Sequence, residues 1–433
     1  MNARILKSPR SRLGAWLIAA GLLTVPLLAG CDLNDLLDVS APSQLPAENL
    51  ESPAAMPIMV NGAIGNFECA LGAAMMVTGI VADEFADAQL GAAQWPYDRR
   101  DANTQPMGIY GTSGCTSAQG PGIYSPLSVA RWSADNALQK LEGYTNAEVP
   151  KRDSLMAAAA LYGGFSLAHL GMAMCSAALD LGPEITNIQL FAAAENRFTK
   201  ALQYATTANV TAYKNAANVG LARVRLFQGN KSGAVSAAQL VPAGFVLNGT
   251  ASDSETRRYN RVYHSNRYSR NYTVEEQSRD LRTEGVPDPR AKAVNSNTRG
   301  SDGTIVWYQE KYKSFSAPLP IARYEEARLI LAEAQGGQTA VDIVNALRAP
   351  YSLPAYTGAT DAASIKTLIV EERRRELFVE GFRFFDIYRF NLPLIPAPGT
   401  AFPIKGGYYG DTRCFPIPDV ERLYNPTISG SGK

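Results

Sequence analysis

The sequence predicts a mostly α-helical protein: a tetratricopeptide-like scaffold of helical hairpins with one large irregular insert of loops and short strands. Three observations predict it. Small and apolar residues recur at helical spacing over 56–85, 127–242 and 324–348. Glycines such as Gly229 and Gly336 stand where one helix of a pair would end and the next begin. Residues 245–316 then change character, becoming polar and crowded with Tyr and Arg, and "TIVWYQEKY" alternates as a short strand does.

Composition sets the bounds. The chain has 433 residues, 46% hydrophobic and 19% charged, enough for a large core or two modest ones. The formal net charge of +1 offers no basic field for nucleic acid.

Taken in order, Arg4, Lys7, Arg10 and Arg12 precede an uncharged apolar run from Leu13 to Gly30, the pattern of a secretory leader over 1–30. Its end, "LLAGC", resembles a bacterial lipobox, which implies cleavage before Cys31 and lipidation of that cysteine. The alternative is a membrane-spanning anchor. No later span is expected, since one needs roughly 18–20 apolar residues. Without the leader the chain holds 37 basic and 40 acidic residues, about −3.

Residues 31–48, "CDLNDLLDVSAPSQLPAE", are acidic and proline-punctuated, a tether from lipid to body. The body, 49–433, divides into a helical scaffold (55–242 and 318–391), a ligand-side insert (243–317) and a Pro/Gly-rich tail (392–433) expected to be coil. The stretch from Gly91 to Pro126 is too long for a silent connector. Its Trp95, Tyr97, Tyr110 and Tyr124 argue against disorder. Within the scaffold, Ala194-x3-Phe198-x2-Ala201 fits the second helix of a tetratricopeptide unit. Leu221-Ala222, Gly229 and Ala234 fit a whole unit, and "YEEARLILAEAQGGQTAVDIVNALR" repeats the idea with looser spacing.

Four cysteines remain after Cys31, and in an exported chain they suggest two disulfides, for which three connectivities exist. The favoured pairing is Cys69–Cys115 and Cys175–Cys414. The first would hold the glycine-rich loop "YGTSGCTSAQGPG" against a helix, and the second would staple the tail to the scaffold. Their long spacings include no CxxC, and His169 and His264 are isolated, so neither a metal site nor a cofactor is expected.

The helix "EERRRELFVEGFRFFDIYRF" poses the main chemical question. At 100° per residue, Glu372 and Glu376, with Glu380 at the edge, share an arc with Ile365, Leu368, Ile369 and Val379. Buried bare, each charge would cost several kcal/mol. Arginines three and four residues away, with partners from neighbouring helices, can form bidentate pairs instead. The expected structural network therefore comprises Glu372, Arg373, Glu376 and Arg383. The catalytic alternative, an inverting helical-toroid glycosidase, would need acids about 6.5–9.5 Å apart projecting into a cleft.

The whole arrangement resembles the SusD/RagB family of surface lipoproteins. The resemblance rests on "DLLDVSAP" after the lipobox, "VADEF", "YEEARLILAEA", and "VEERRRELFVEGFRFFDIYRF" with the later "FPIPDVERLYNP". Four extra cysteines and a fairly short chain depart from the pattern. The resemblance implies a SusD-like α/α superhelix and a non-catalytic, lipid-anchored protein facing outward from the outer membrane. Such a protein captures an oligosaccharide, or less often a peptide, for a SusC-like TonB-dependent transporter. By segment rather than by motif, the resemblance places ligand aromatics at Trp95 and Tyr97 and at Tyr263, Tyr268 and Trp307. Asp32, directly after the lipid cysteine, resembles an inner-membrane retention signal of some bacteria. The rival readings are a tetratricopeptide scaffold that binds only protein and the glycosidase.

Overall fold

A computed structural model describes residues 51–91, 95–102, 109–117 and 120–429. The leader, Cys31 and the tether lie outside the described residues. Helix α1 (Met56–Val81) ends in β1 (Phe85–Asp87). Next come α2 (Tyr124–Glu142), α3 (Arg152–Ala173), a hairpin of β2 (Ser176–Ala178) and β3 (Glu184–Thr186), α4 (Asn187–Thr207), α5 (Thr211–Phe227) and α6 (Lys231–Ala238). After the insert, α7 (Tyr324–Gln335), α8 (Gly337–Arg348), α9 (Ala362–Glu376) and α10 (Arg383–Arg389) complete the scaffold. Each helix from α1 to α9 packs on the next in the chain, the stacking expected of a helical-hairpin array.

Small residues make the stacking close. Phe198 of α4 presses on Gly164 of α3 and Gly220 of α5, where an added Cβ would lie 2.7 and 2.5 Å from its ring. That contact is the physical content of the Ala194-x3-Phe198 spacing. The turn after α5 is made by Gly229, whose φ of +81° a side chain would disfavour. A reciprocal capping box between Thr186 and Gln189 starts α4.

Two expectations need correction here. Helices α1 and α3 are long and apolar enough by composition to cross a membrane, contrary to the sequence reading. Most of their apolar residues are buried against their neighbours, so core packing accounts for them. The tail is also not plain coil. It carries α11 (Asp419–Tyr424) and a further turn, Pro426–Ser429. Phe415 is fully buried against Tyr97, Tyr110 and Phe384 and bridges to the end of α3 through Met174.

The insert holds most of the strands. β4 (Val246–Gly249) pairs with β9 (Leu319–Arg323), and β5 (Tyr272–Val274) pairs with β1. β6 (Asp280–Thr283), β7 (Val286–Arg299) and β8 (Ile305–Gln309) form an antiparallel meander. Disulfides join Cys69 to Cys115 and Cys175 to Cys414.

The charged helix does not run through. α9 stops at Glu376, Val379 adopts φ +53° and Gly381 φ +83°, and α10 starts at Arg383. A β-branched residue at positive φ is costly. Here the Glu84 carboxylate accepts the Val379 N–H at 2.8 Å and holds it there. The single helical arc drawn from Ile365 to Glu380 is therefore broken.

Candidate functional site

The carboxylates of α9 lie in a buried, paired network. Glu372, fully buried, accepts from Arg290 Nη1 and from Arg348 Nε (3.0 Å). Glu376 accepts from Arg290 (3.0 Å) and Arg323 (2.7 Å), and Glu380 from Arg323 and Lys311. Asp288 grips Arg290 from the other side. Burial alone would raise the Glu380 carboxyl, but Arg323 and Lys311 outweigh it and hold it below its ordinary value.

These cations stand on β7, β9, α8 and the segment after β8, so the network welds the insert strands to the scaffold. The arginines of α9 itself, expected as partners, face elsewhere. Arg373 donates to Asp386 (2.8 Å), Arg375 to Glu371 and the Arg282 carbonyl, and Arg374 to Ser278 and the Gln277 carbonyl. At 100° per residue Arg373, Arg374 and Arg375 point away from the face shared by Glu372 and Glu376, whereas strands crossing that face reach it. Arg383 makes a bidentate pair with Asp83 of "VADEF" at 2.7 Å. The outer edge of the network borders a depression of about 340 Å³ beside Tyr351 and Asn248, with its charges already paired. Carboxylates held this way are not free to take a substrate proton.

The insert presents a different surface. Tyr259, Tyr263 and Tyr268 gather round Phe315, with ring centroids at 4.4, 4.9 and 5.0 Å, and His264 joins at 6.1 Å. Asn260 builds the cluster. Its Oδ1 accepts the Tyr263 N–H, its Nδ2 donates to the Ala317 carbonyl, and its own N–H donates to the Phe315 carbonyl. A wide turn, His264–Tyr268, then swings Tyr268 out to 63% exposure. Burial, and secondarily the charge of Arg261, hold the His264 imidazole below its ordinary pKa, so it offers a neutral ring at pH 7.

Two residues before Tyr259, Arg257 lines a cavity of about 180 Å³ with Asn66, Cys115, Thr116, Ser125 and Val129. Arg257 Nη2 donates to Asn66 Oδ1 (2.8 Å), and Asn66 donates to Ser133 (3.0 Å). The Cys69–Cys115 bridge ties this wall to α1.

Among the aromatics expected from sequence, Tyr263 and Tyr268 come together in this cluster. Tyr97 is corrected: it is 1% exposed, donates to the Pro121 carbonyl and packs on Phe415, so it has no face to offer a ligand. Trp95 donates to the Gln89 carbonyl beneath Arg99. Trp307 is half-buried in the meander beneath Arg279. Among the described residues no ring contact joins either tryptophan to the cluster.

Sequence reasoning missed Trp132, 54% exposed on α2 one turn beyond the equally exposed Val129 of the cavity wall. The signal was present. Leu127, Ala130, Ala134, Leu138 and Leu141 make the buried stripe of α2, which leaves positions 129 and 132 outside it.

Residues 229–420 match the SusD family. No curated protein matches the chain. Among solved structures, it is similar to a SusD superfamily protein from Bacteroides vulgatus, with 16% identity, a TM-score of 0.66, and coverage of 87% of this chain and 97% of that one. It is also similar to a SusD-like carbohydrate binding protein from the same species (15%, 0.65, 88% and 98%). A laminarin binding SusD-like protein aligns at 15% identity with a TM-score of 0.55 over 86% and 98% of the two chains. At such identities the structural likeness is one of fold. The matched segment, somewhat less than half of the chain, contains the insert and its welded helix and is similar to the SusD family, and the likeness of fold to SusD superfamily proteins extends over most of the rest.

Proposed function

We propose that this chain is a non-catalytic lipoprotein of the outer membrane, anchored through Cys31 after loss of residues 1–30. It captures an oligosaccharide for a SusC-like TonB-dependent transporter. In this reading 31–48 is the tether, 243–317 is the ligand-side insert, and the rest of 49–433 is a rigid scaffold. The observation that carries it is the partly exposed ring cluster of Tyr259, Tyr263, Tyr268 and Phe315, two residues along the chain from Arg257 at the wall of a small cavity. Flat aromatic faces stack on the C–H faces of sugars, while Asn66, Thr116 and Ser125 can meet hydroxyl groups. Similar structures that bear the names carbohydrate binding and laminarin binding support the ligand class. Against catalysis stand the α9 carboxylates, whose oxygens are already committed to guanidinium groups.

The test is calorimetric titration of the full chain with a panel of defined oligosaccharides. For any that binds, Tyr268→Ala and Trp132→Ala should each weaken affinity roughly tenfold, about 1.4 kcal/mol. Unchanged affinity in both variants would place the site elsewhere, with Trp95 and Trp307 the next positions to replace. The transporter partnership is tested by co-purification of a TonB-dependent barrel with the tagged lipoprotein.

A further inference from the structure

We propose that the ligand taken by this face is an anionic glycan, one carrying carboxylate or sulfate groups. The inference rests on the binding face described above and sharpens its ligand class. Residues 250–270 hold five arginines against two acids, Asp253 and Glu255. Many arginines elsewhere in the fold sit against carboxylates, among them Arg223 on Glu326, Arg290 on Glu372, Arg383 on Asp83 and Arg389 on Glu333, while others such as Arg100 bond only carbonyls. In this segment only Arg267 does so, with Glu310.

Among the described residues, Arg257, Arg258 and Arg261 make no ion pair. Their bonds go to neutral atoms: Asn66 Oδ1, Thr250 Oγ1 and the Thr256 carbonyl. The nearby Glu68 spends its carboxylate on the Thr250 N–H and hydroxyl.

Arg261 sharpens the case. It is 7% exposed, lies against Gly72 of α1, and its buried Nε has no partner. It adds a positive charge to this segment with no carboxylate of its own to offset it. Arg257 supplies the point of contact. Exposed at the cavity wall, it keeps Nε and Nη1 unbonded among the described residues. That edge of the guanidinium matches the paired oxygens of a carboxylate or sulfate. The aromatic cluster that follows in the chain favours a sugar backbone over an acidic peptide, because the exposed Tyr268 offers a ring on which a sugar can stack.

The test titrates the full chain with four probes of matched length: oligogalacturonate (carboxylate), sulfated carrageenan oligosaccharide, neutral laminari-oligosaccharide and polyglutamate. The expected result is at least tenfold tighter binding of one or both acidic glycans than of the neutral one, lost in Arg257→Gln and weakened by raising the salt. Preference between the two acidic glycans tells uronate from sulfate. Equal binding of the neutral glycan, unaffected by Arg257→Gln, would overturn the anionic inference and leave the glycan reading intact. Polyglutamate binding as tightly as the acidic glycans would overturn it in favour of plain charge capture. If no oligosaccharide binds, the glycan reading fails and takes this inference with it. Arg257 is exposed, so its replacement should leave thermal unfolding unchanged and the affinity loss interpretable.

Discussion

Replacing Glu372 by Ala removes one carboxylate from the centre of the welded network. Two cations lose a partner. Arg290 keeps Asp288 and Glu376, whereas Arg348 keeps only the peripheral Glu284 (3.4 Å) and the Pro354 carbonyl (3.2 Å). Breaking a buried pair from one side costs about 3–5 kcal/mol. The residual partners of Arg290 place this case near the middle, about 4 kcal/mol. With an unfolding entropy of about 2.1 cal/mol/K per residue over the described body, that corresponds to a fall in Tm of about 5 °C. Differential scanning calorimetry of parent and variant, disulfides intact, measures it. Adding Arg348→Met to Glu372→Ala should restore part of the loss, because the stranded charge goes with it. A Glu372→Ala protein of parental Tm that no longer bound its ligand would refute the structural assignment and make Glu372 a functional carboxylate.

Burial raises the Glu84 carboxyl to about 7 from its ordinary 4.5. Between those values the folded protein keeps a proton that the unfolded chain has released, so stability falls as pH rises through that window. Glu84→Gln still accepts the Val379 N–H. It should match the parent at pH 4 and exceed it by up to about 3 kcal/mol at pH 8, read from urea unfolding at both pH values. The two bridges close stretches of 46 and 239 residues that do not overlap. On the chain-entropy model, Cys175→Ser/Cys414→Ser should therefore cost about 1.5 kcal/mol more than Cys69→Ser/Cys115→Ser in denaturant titrations. Cys31→Ala should move the protein from the membrane to the soluble fraction on cell fractionation. Retention in the membrane would point to an uncleaved leader acting as the anchor.

The helical scaffold was legible in the chain because helix periodicity and glycine turns are local properties. The spacing around Phe198, the turn at Gly229 and the alternation of "TIVWYQEKY" each depend on a few neighbouring residues. The sequence also showed that α9 carries more charge than an apolar face tolerates alone, so partners had to exist. It could not say which. Arg290, Arg323 and Arg348 lie far along the chain, and only the crossing of β7, β9 and α8 over α9 brings them to Glu372 and Glu376. The break after Glu376 was hidden for a similar reason, since Glu84, almost three hundred residues upstream, supplies the acceptor that holds Val379. Exposure belongs to the same class. Tyr97 and Tyr268 read alike, as tyrosines in polar, irregular stretches, while Trp132 read as one more residue of a helix. Packing buried Tyr97 against Phe415 from the tail and left Tyr268 and Trp132 at the surface, because burial depends on every segment that meets a side chain and not on the neighbours it was written beside.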